Sequence, residues 1–172
     1  MHSLLYHQIL TDEEKREICT WKYPDEYSIY NSTPYDELKQ KNSSFMNEAN
    51  QQNFYAFYDS DIFVGYINLI ERANKFSLGI AVKPELCSKG YGQKIIKIAL
   101  EISDIQNSNK PVGLQVRSWN KRAINCYRKA GFEIEGEEYS LTTPLGEGNF
   151  YRMIYKKNSF ENKISQETNS EK

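Results

Sequence analysis

One run of residues constrains this chain more than any other: Ile80-Ala81-Val82-Lys83-Pro84-Glu85-Leu86-Cys87-Ser88-Lys89-Gly90-Tyr91-Gly92-Gln93-Lys94. Phe76, Leu78, Ile80 and Val82 alternate with Ser77, Gly79 and Ala81. That is the period of a strand with one large and one small face, and Pro84 ends it. From Gly92 to Asn107, Ile95, Ile96, Ala99, Leu100 and Ile102 fall at helical spacing. A strand that passes through a glycine-bearing loop into a long helix implies a sheet with helices packed on it. It also implies an anion site. N–H groups at a helix start have no internal partner, lie at the positive end of the dipole, and can be approached closely across glycine. Lys83, Lys89, Lys94 and Lys97 against Glu85 give this stretch a surplus of three positive charges, in a chain whose net charge is −1.

A Gly-x-Gly here also suits an ordinary strand-to-helix turn. Two nucleotide-site readings fail on residues. A P-loop needs Gly-Lys followed by Ser or Thr, and Gly92 is followed by Gln93; a dinucleotide fingerprint needs a third glycine where Ile95 stands.

The rest of the chain supplies a sheet around this unit. Leu4 to Leu10 reads as a short strand, and Thr11 with Glu14 has capping-box spacing for a helix to about Trp21. Trp21 to Asn31 is aromatic and acidic without a period, so a structured loop is expected. Tyr35 to Asn47 reads as weakly helical, with Pro34 near its start. Phe54–Tyr58 and Ile62–Ile70 are strands joined by Asp59-Ser60-Asp61; the second is apolar on both faces and should lie inside the sheet. Val112, Leu114 and Val116 alternate in another strand. Asn120 precedes a helix with an inner stripe of Ala123, Tyr127 and Ala130, stopped by Gly131 and covered by Phe132. Phe132–Thr142 and Asn149–Lys156 form a closing hairpin around Pro144 to Gly148. The fold class is therefore α/β (α+β), a mixed sheet flanked by helices. Residues 1–157 form one domain, and residues 158–172 form a polar tail expected to fray. A chain of 172 residues buries enough surface to need no staple.

Several function classes drop out. A net charge of −1 excludes a general polyanion binder, so no nucleic acid is expected. Cys19, Cys87 and Cys126 form no Cys-x-x-Cys pair and the histidines are His2 and His7, so no metal site is expected. Free thiols suit a reducing, cytoplasmic location. The first residues lack a basic region before a long apolar run, and no window nears the ~20 apolar residues of a membrane helix, so neither a signal peptide nor a membrane partner is expected.

A second block turns the Gly-x-Gly loop into a stronger signal. Asn120 ends a strand, Ala123 follows three residues later, and Tyr127, Gly131 and Phe132 close the next helix as Tyr-x-x-x-Gly-Phe. Together with Gly90 and Gly92, and with one helix and one strand between the blocks, this resembles the GNAT superfamily of N-acetyltransferases. The resemblance covers about Tyr55 to Tyr155. It implies a GNAT-like, mostly antiparallel central sheet and acetyl-CoA as co-substrate. One position departs: the family's Gln or Arg is Cys87 here, and Lys89 or Lys94 could supply that side-chain contribution.

The resemblance implies roles residue by residue. Backbone groups of Ile80, Ala81 and Val82 should pair with the pantetheine arm. Cys87, Ser88, Lys89, Gly90, Tyr91, Gly92 and Gln93 should hold the pyrophosphate. Asn120 should bond the pantetheine or order the loop beside it, and Tyr127 should sit near the sulfur. The chemistry of Tyr127 agrees with that placement. Aminolysis of a thioester expels a thiolate, and a phenol can donate to it.

The acceptor side is less legible. The attacking amine must be neutral, so a base or a water chain is expected. Ribosomal-protein N-terminal alanine acetyltransferases, similar in pattern, carry a Glu where Gln115 stands, so their substrate does not transfer simply. Trp21, Tyr23, Glu26, Tyr27 and Tyr30 would suit an acceptor with apolar bulk and a positive charge, with Glu26 as attractor or base. Cys126 has no histidine within sequence reach to activate it, so a covalent acetyl-cysteine is not expected. The expected activity is transfer of acetyl to a primary amine of a small molecule, or of a protein N-terminus or lysine, by direct attack in a ternary complex, by a monomer or homodimer. The alternative is a catalytically silent protein of the same fold that binds CoA or a peptide as a sensing module.

Overall fold

The structure is a computed structural model describing residues 5–107 and 109–156, so the expected tail lies outside the described residues. The chain runs β1 (Tyr6–Ile9), α1 (Asp12–Thr20), a 3₁₀ turn (Asp25–Tyr30), α2 (Tyr35–Gln40), a second 3₁₀ turn (Glu48–Asn53), β2 (Phe54–Asp59), β3 (Ile62–Glu71) and β4 (Phe76–Val82). A short 3₁₀ turn (Pro84–Leu86), α3 (Tyr91–Asn107), β5 (Val112–Arg117), α4 (Lys121–Lys129), β6 (Glu133–Thr143) and β7 (Gly146–Tyr155) complete it. Among the described residues the sheet has seven strands in the order β1-β2-β3-β4-β5-β7-β6. Of its pairs, β4 with β5 runs parallel and the others antiparallel.

Local signals in the sequence account for much of this. The α1 capping box closes as its spacing predicts: Thr11 N–H donates to Glu14 Oε2 at 2.6 Å, and Glu14 N–H to Thr11 Oγ1 at 3.5 Å. Glu14 also accepts from Gln8 and from the Tyr58 hydroxyl, so one carboxylate ties α1 to β1 and β2. β3 lies between β2 and β4 and gives Ile67 and Leu69 to one core and Phe63 to the other, which explains its apolar residues on both faces. Ile95, Ile96, Ala99 and Ile102 of α3 pack on one face of the sheet with Ile67, Leu69, Phe76 and Val112. Ile18, Trp21, Phe54 and Phe63 form a smaller core on the other face, under α1.

Three local readings differ from the structure. α2 ends at Gln40 rather than Asn47, because Asn42 turns left-handed at φ 44°. The aromatic loop is wound into a 3₁₀ turn from Asp25 to Tyr30. On α4 only Ile124 is buried; Ala123, Tyr127 and Ala130 are half-buried because that helix flanks a cavity.

Candidate active site

The two parallel strands touch only at their start, through Phe76 with Val112 and Ser77 with Gly113. Beyond that each follows its other neighbour. β4 stays paired with β3 over its whole length, and β5 stays paired with β7. The strands part, and a cavity of about 1060 Å³ opens in the wedge. Leu78 to Val82 and Gln115 to Arg117 line it, and the starts of α3 and α4 stand at it. Ligands favour such gaps beyond the carboxyl ends of diverging parallel strands.

At one end stands the glycine loop. Cys87, Ser88, Gly90, Gly92 and Gln93 line the cavity. Gly90 has φ +86°, a conformation that suits glycine, and a Cβ built there would meet nothing within 4 Å. The loop backbone is therefore open to approach at Gly90. Gly92 serves packing: a Cβ there would lie 3.0 Å from Cys126 Sγ, so its absence lets α3 and α4 come together. The N–H groups of Tyr91, Gly92 and Gln93 form the first turn of α3, with no helical carbonyl behind them. Free N–H groups beside an open glycine backbone give this end of the cavity the chemistry to hold an anionic group such as a diphosphate.

Two residues assigned to the loop face elsewhere. Lys89 is exposed and does not line the cavity; Tyr91 donates its hydroxyl to Asp59 at 2.8 Å, away from it. The local charge surplus is also smaller in space, because Lys83 pairs with Glu17 of α1 at 2.8 Å as well as with Glu85 at 3.6 Å. Cys87 lies by the carbonyls of Val82 and Lys83, and burial pushes its thiol up. Burial raises Cys126 too, which keeps both as thiols.

The centre of the cavity is organised by Asn120. Its Oδ1 accepts from Ala123 N–H at 3.0 Å and caps α4. Its Nδ2 donates to the Tyr30 hydroxyl at 3.1 Å. Both ends of the side chain are thereby engaged, so Asn120 orders the neighbouring loop. Tyr30 also packs at a tilt against Trp119, as does Tyr27, which lies under the Arg122 guanidinium at 3.9 Å. Tyr127 lines the cavity with its ring against Phe132. Burial, with Cys126 and Tyr30 nearby, raises its phenol well above the ordinary tyrosine range. The hydroxyl stays protonated and can donate.

Of the residues expected to meet an acceptor, Trp21, Tyr23 and Tyr30 line the cavity, and Tyr23 donates to the Val82 carbonyl at 2.9 Å. Tyr66, deep in the wall, is pushed up to about 12 by burial. Tyr27 and Glu26 do not reach the cavity. In a 3₁₀ turn residues three apart share a side. Tyr27 and Tyr30 therefore share the side that meets Trp119, while Glu26 is exposed to solvent. Glu26 is thus not positioned as a base in this conformation.

Among the described residues no carboxylate lines the cavity; its charged side chains are Arg117, Arg122 and Lys129. Sequence reasoning missed Asn68, Arg117, Arg122 and the hairpin turn around Leu145. A signal existed for the first. The small face of β4, with Gly79 opposite Asn68 on β3, marks where the sheet leaves room for a ligand. Trp21 Nε1, Ser43 Oγ and Asn68 Oδ1 are buried without a hydrogen-bond partner, and all three residues line this cavity. Buried polar atoms left unpaired are costly in a folded protein.

The comparisons with known proteins agree with this geometry. Residues 15–132 match the model of the acetyltransferase (GNAT) family. A chimera of the Vibrio cholerae spermidine N-acetyltransferase and hSSAT is 24% identical, with a TM-score of 0.70 over 93% of this chain and 99% of that one. The V. cholerae spermidine N-acetyltransferase in complex with CoA and spermine is 21% identical, with a TM-score of 0.65 over 90% and 96% of the two chains. A dodecameric structure of that enzyme is 22% identical, with a TM-score of 0.68 over 94% and 99%. Among curated proteins none matches at a significant level. Those structural likenesses establish the fold, and the family match covers well over half of the sequence, including both the glycine loop and the Asn120–Phe132 block: the chain belongs to the GNAT acetyltransferase family.

Proposed function

We propose that this protein acetylates a primary amine of a small molecule or a peptide, with donor and acceptor bound together in the β4–β5 wedge. The observation that carries the reading is one continuous cavity that has the glycine loop at one end and the Tyr127 phenol within it. Acetyl-CoA, bound there, would supply an activated acetyl thioester. The loop from Cys87 to Gln93 would hold the pyrophosphate on backbone N–H groups, and the stretch Ile80 to Val82 of β4, which β5 leaves unpaired, would pair with the pantetheine arm. Asn120 holds Tyr30 at the junction of the donor and acceptor ends. Tyr127 would donate its proton to the departing sulfur.

With no carboxylate in the described lining, deprotonation of the amine falls to solvent through the polar groups of the wall. Direct attack needs no acyl-enzyme, consistent with the raised thiols of Cys87 and Cys126. The spermidine and spermine named for the solved relatives are among the amines this reading admits. The missing carboxylate also favours the second reading, a silent module that binds CoA without turnover. Release of CoA thiol from acetyl-CoA in a pool of amines tests the two. Amine-dependent release supports the enzyme, and tight binding without release supports the module. The assembly we propose is a monomer or a homodimer; sedimentation of the free protein tests this against the dodecamer of the V. cholerae enzyme.

A further inference from the structure

Resting on the acetyl-transfer reading, we infer that the acceptor is a small primary amine carrying a carboxylate, and that Arg117 binds that carboxylate. Arg117 is 4% exposed, yet no carboxylate among the described residues pairs with it. Its Nη1 donates to the Glu147 carbonyl and its Nη2 to those of Leu145 and Gly146, each at 3.3 Å. These contacts occupy three of the five guanidinium donors and leave the charge without a counter-charge. Buried charges are ordinarily paired, because desolvation is otherwise uncompensated. The fold makes deliberate room for this one: a Cβ at Gly148 would lie 2.1 Å from Nη1.

The rest of the wall points the same way. Arg117 lines the cavity that also holds the glycine loop and Tyr127, and the other formal charges of that lining, Arg122 and Lys129, are positive too. A polyamine keeps an ammonium at every nitrogen except the reacting one, so it would meet repulsion with nothing to offset it. An amino carboxylate finds in Arg117 a fixed cation with two N–H donors, on Nε and Nη1, that the hairpin carbonyls do not use. For the amine, Asn68 Oδ1 is a buried acceptor without a partner in the same wall, ready to receive an N–H. The turn between β6 and β7, whose carbonyls Arg117 holds, walls this end of the cavity and suits a small acceptor.

The test uses the full chain with acetyl-CoA and compares kcat/KM for ω-amino carboxylates of graded length with alkylamines and diamines of the same length. These keep the reacting amine alike and change only the far group. At the best spacing the carboxylate should exceed the alkylamine by roughly tenfold to a hundredfold, the worth of a charge-assisted hydrogen bond, with the diamine slowest. Arg117→Gln should bring the carboxylate-to-alkylamine ratio close to one. Arg117→Lys should retain part of it, and it serves if the hairpin does not tolerate glutamine. Diamines used as well as or better than every carboxylate, or a ratio that survives in Arg117→Gln, would overturn the inference while leaving acetyl transfer standing. Absence of CoA release with every amine would instead overturn the acetyl-transfer reading, and this inference with it.

Discussion

The two ends of the cavity are built in different ways. The end proposed for the cofactor comes from one unbroken run, β4 through the glycine loop into α3, and it presents mostly backbone groups. The end proposed for the acceptor is gathered from Trp21 to Phe150, and it presents side chains. Its key contacts span long separations: Asn120 reaches Tyr30 across 90 residues, and Arg117 reaches the hairpin turn across 28 to 30. A backbone site is set by chain direction and glycine placement. It should tolerate side-chain change, such as Cys87 where the family pattern has Gln or Arg. A side-chain site depends on which element packs where, so its chemistry can differ while the fold stays the same.

If that contrast holds, the largest effect should come from blocking the backbone end. Gly90→Val places a branched side chain at φ +86°, in space that is open. The local strain of about 1–3 kcal/mol should leave the fold intact. Acetyl-CoA affinity, measured by calorimetry, should fall about a hundredfold or more through loss of several charge-assisted backbone bonds. A folded variant with unchanged affinity would erase the distinction between the two ends.

Tyr127→Phe comes next. It should lower kcat by roughly tenfold to a thousandfold, the range of a general acid, without changing acetyl-CoA affinity. Because the phenol is raised, its proton persists above the ordinary tyrosine value. The kcat of the native protein should therefore show no fall on the alkaline side through about pH 10 from loss of this acid. A fall there that vanishes in Tyr127→Phe would contradict the burial argument.

Asn120→Ala removes the joint between the ends. Losing the α4 cap should cost about 1–2 kcal/mol, roughly 2–8 °C in Tm. Loss of the Tyr30 anchor should raise the acceptor KM more than the acetyl-CoA KM. Equal changes in both would show that Asn120 acts only as a cap. The smallest effect is expected for Glu26→Gln. An exposed carboxylate outside the cavity should alter the acceptor KM and kcat by no more than about twofold. A loss of kcat beyond that would mean that the 3₁₀ turn rearranges when the acceptor binds.

The same contrast separates what the chain spells out residue by residue from what it does not. The Thr11–Glu14 box, the strand–glycine–helix passage and the place of Asn120 just before a helix are all legible in the sequence. Each rests on interactions between residues three or four apart, or on alternation along one strand, and such spacing is written directly in the chain. The same local signals place Gly90 and Tyr127 on one family pattern.

The direction of Glu26 is not legible in this way, nor is the unpaired charge of Arg117. Glu26 suits an acceptor site by sequence because it stands among aromatics, but the 3₁₀ winding from Asp25 to Tyr30 turns Tyr27 and Tyr30 toward Trp119 and leaves it in solvent. Arg117 reads in sequence as the polar end of a strand. Its burial follows from the β6–β7 turn folding over it and from the space left at Gly148. The cavity exists because β4 and β5 part after two paired residues, each held by a different neighbour. Short-range spacing carries no record of that divergence, since it depends on how the whole sheet pairs and twists.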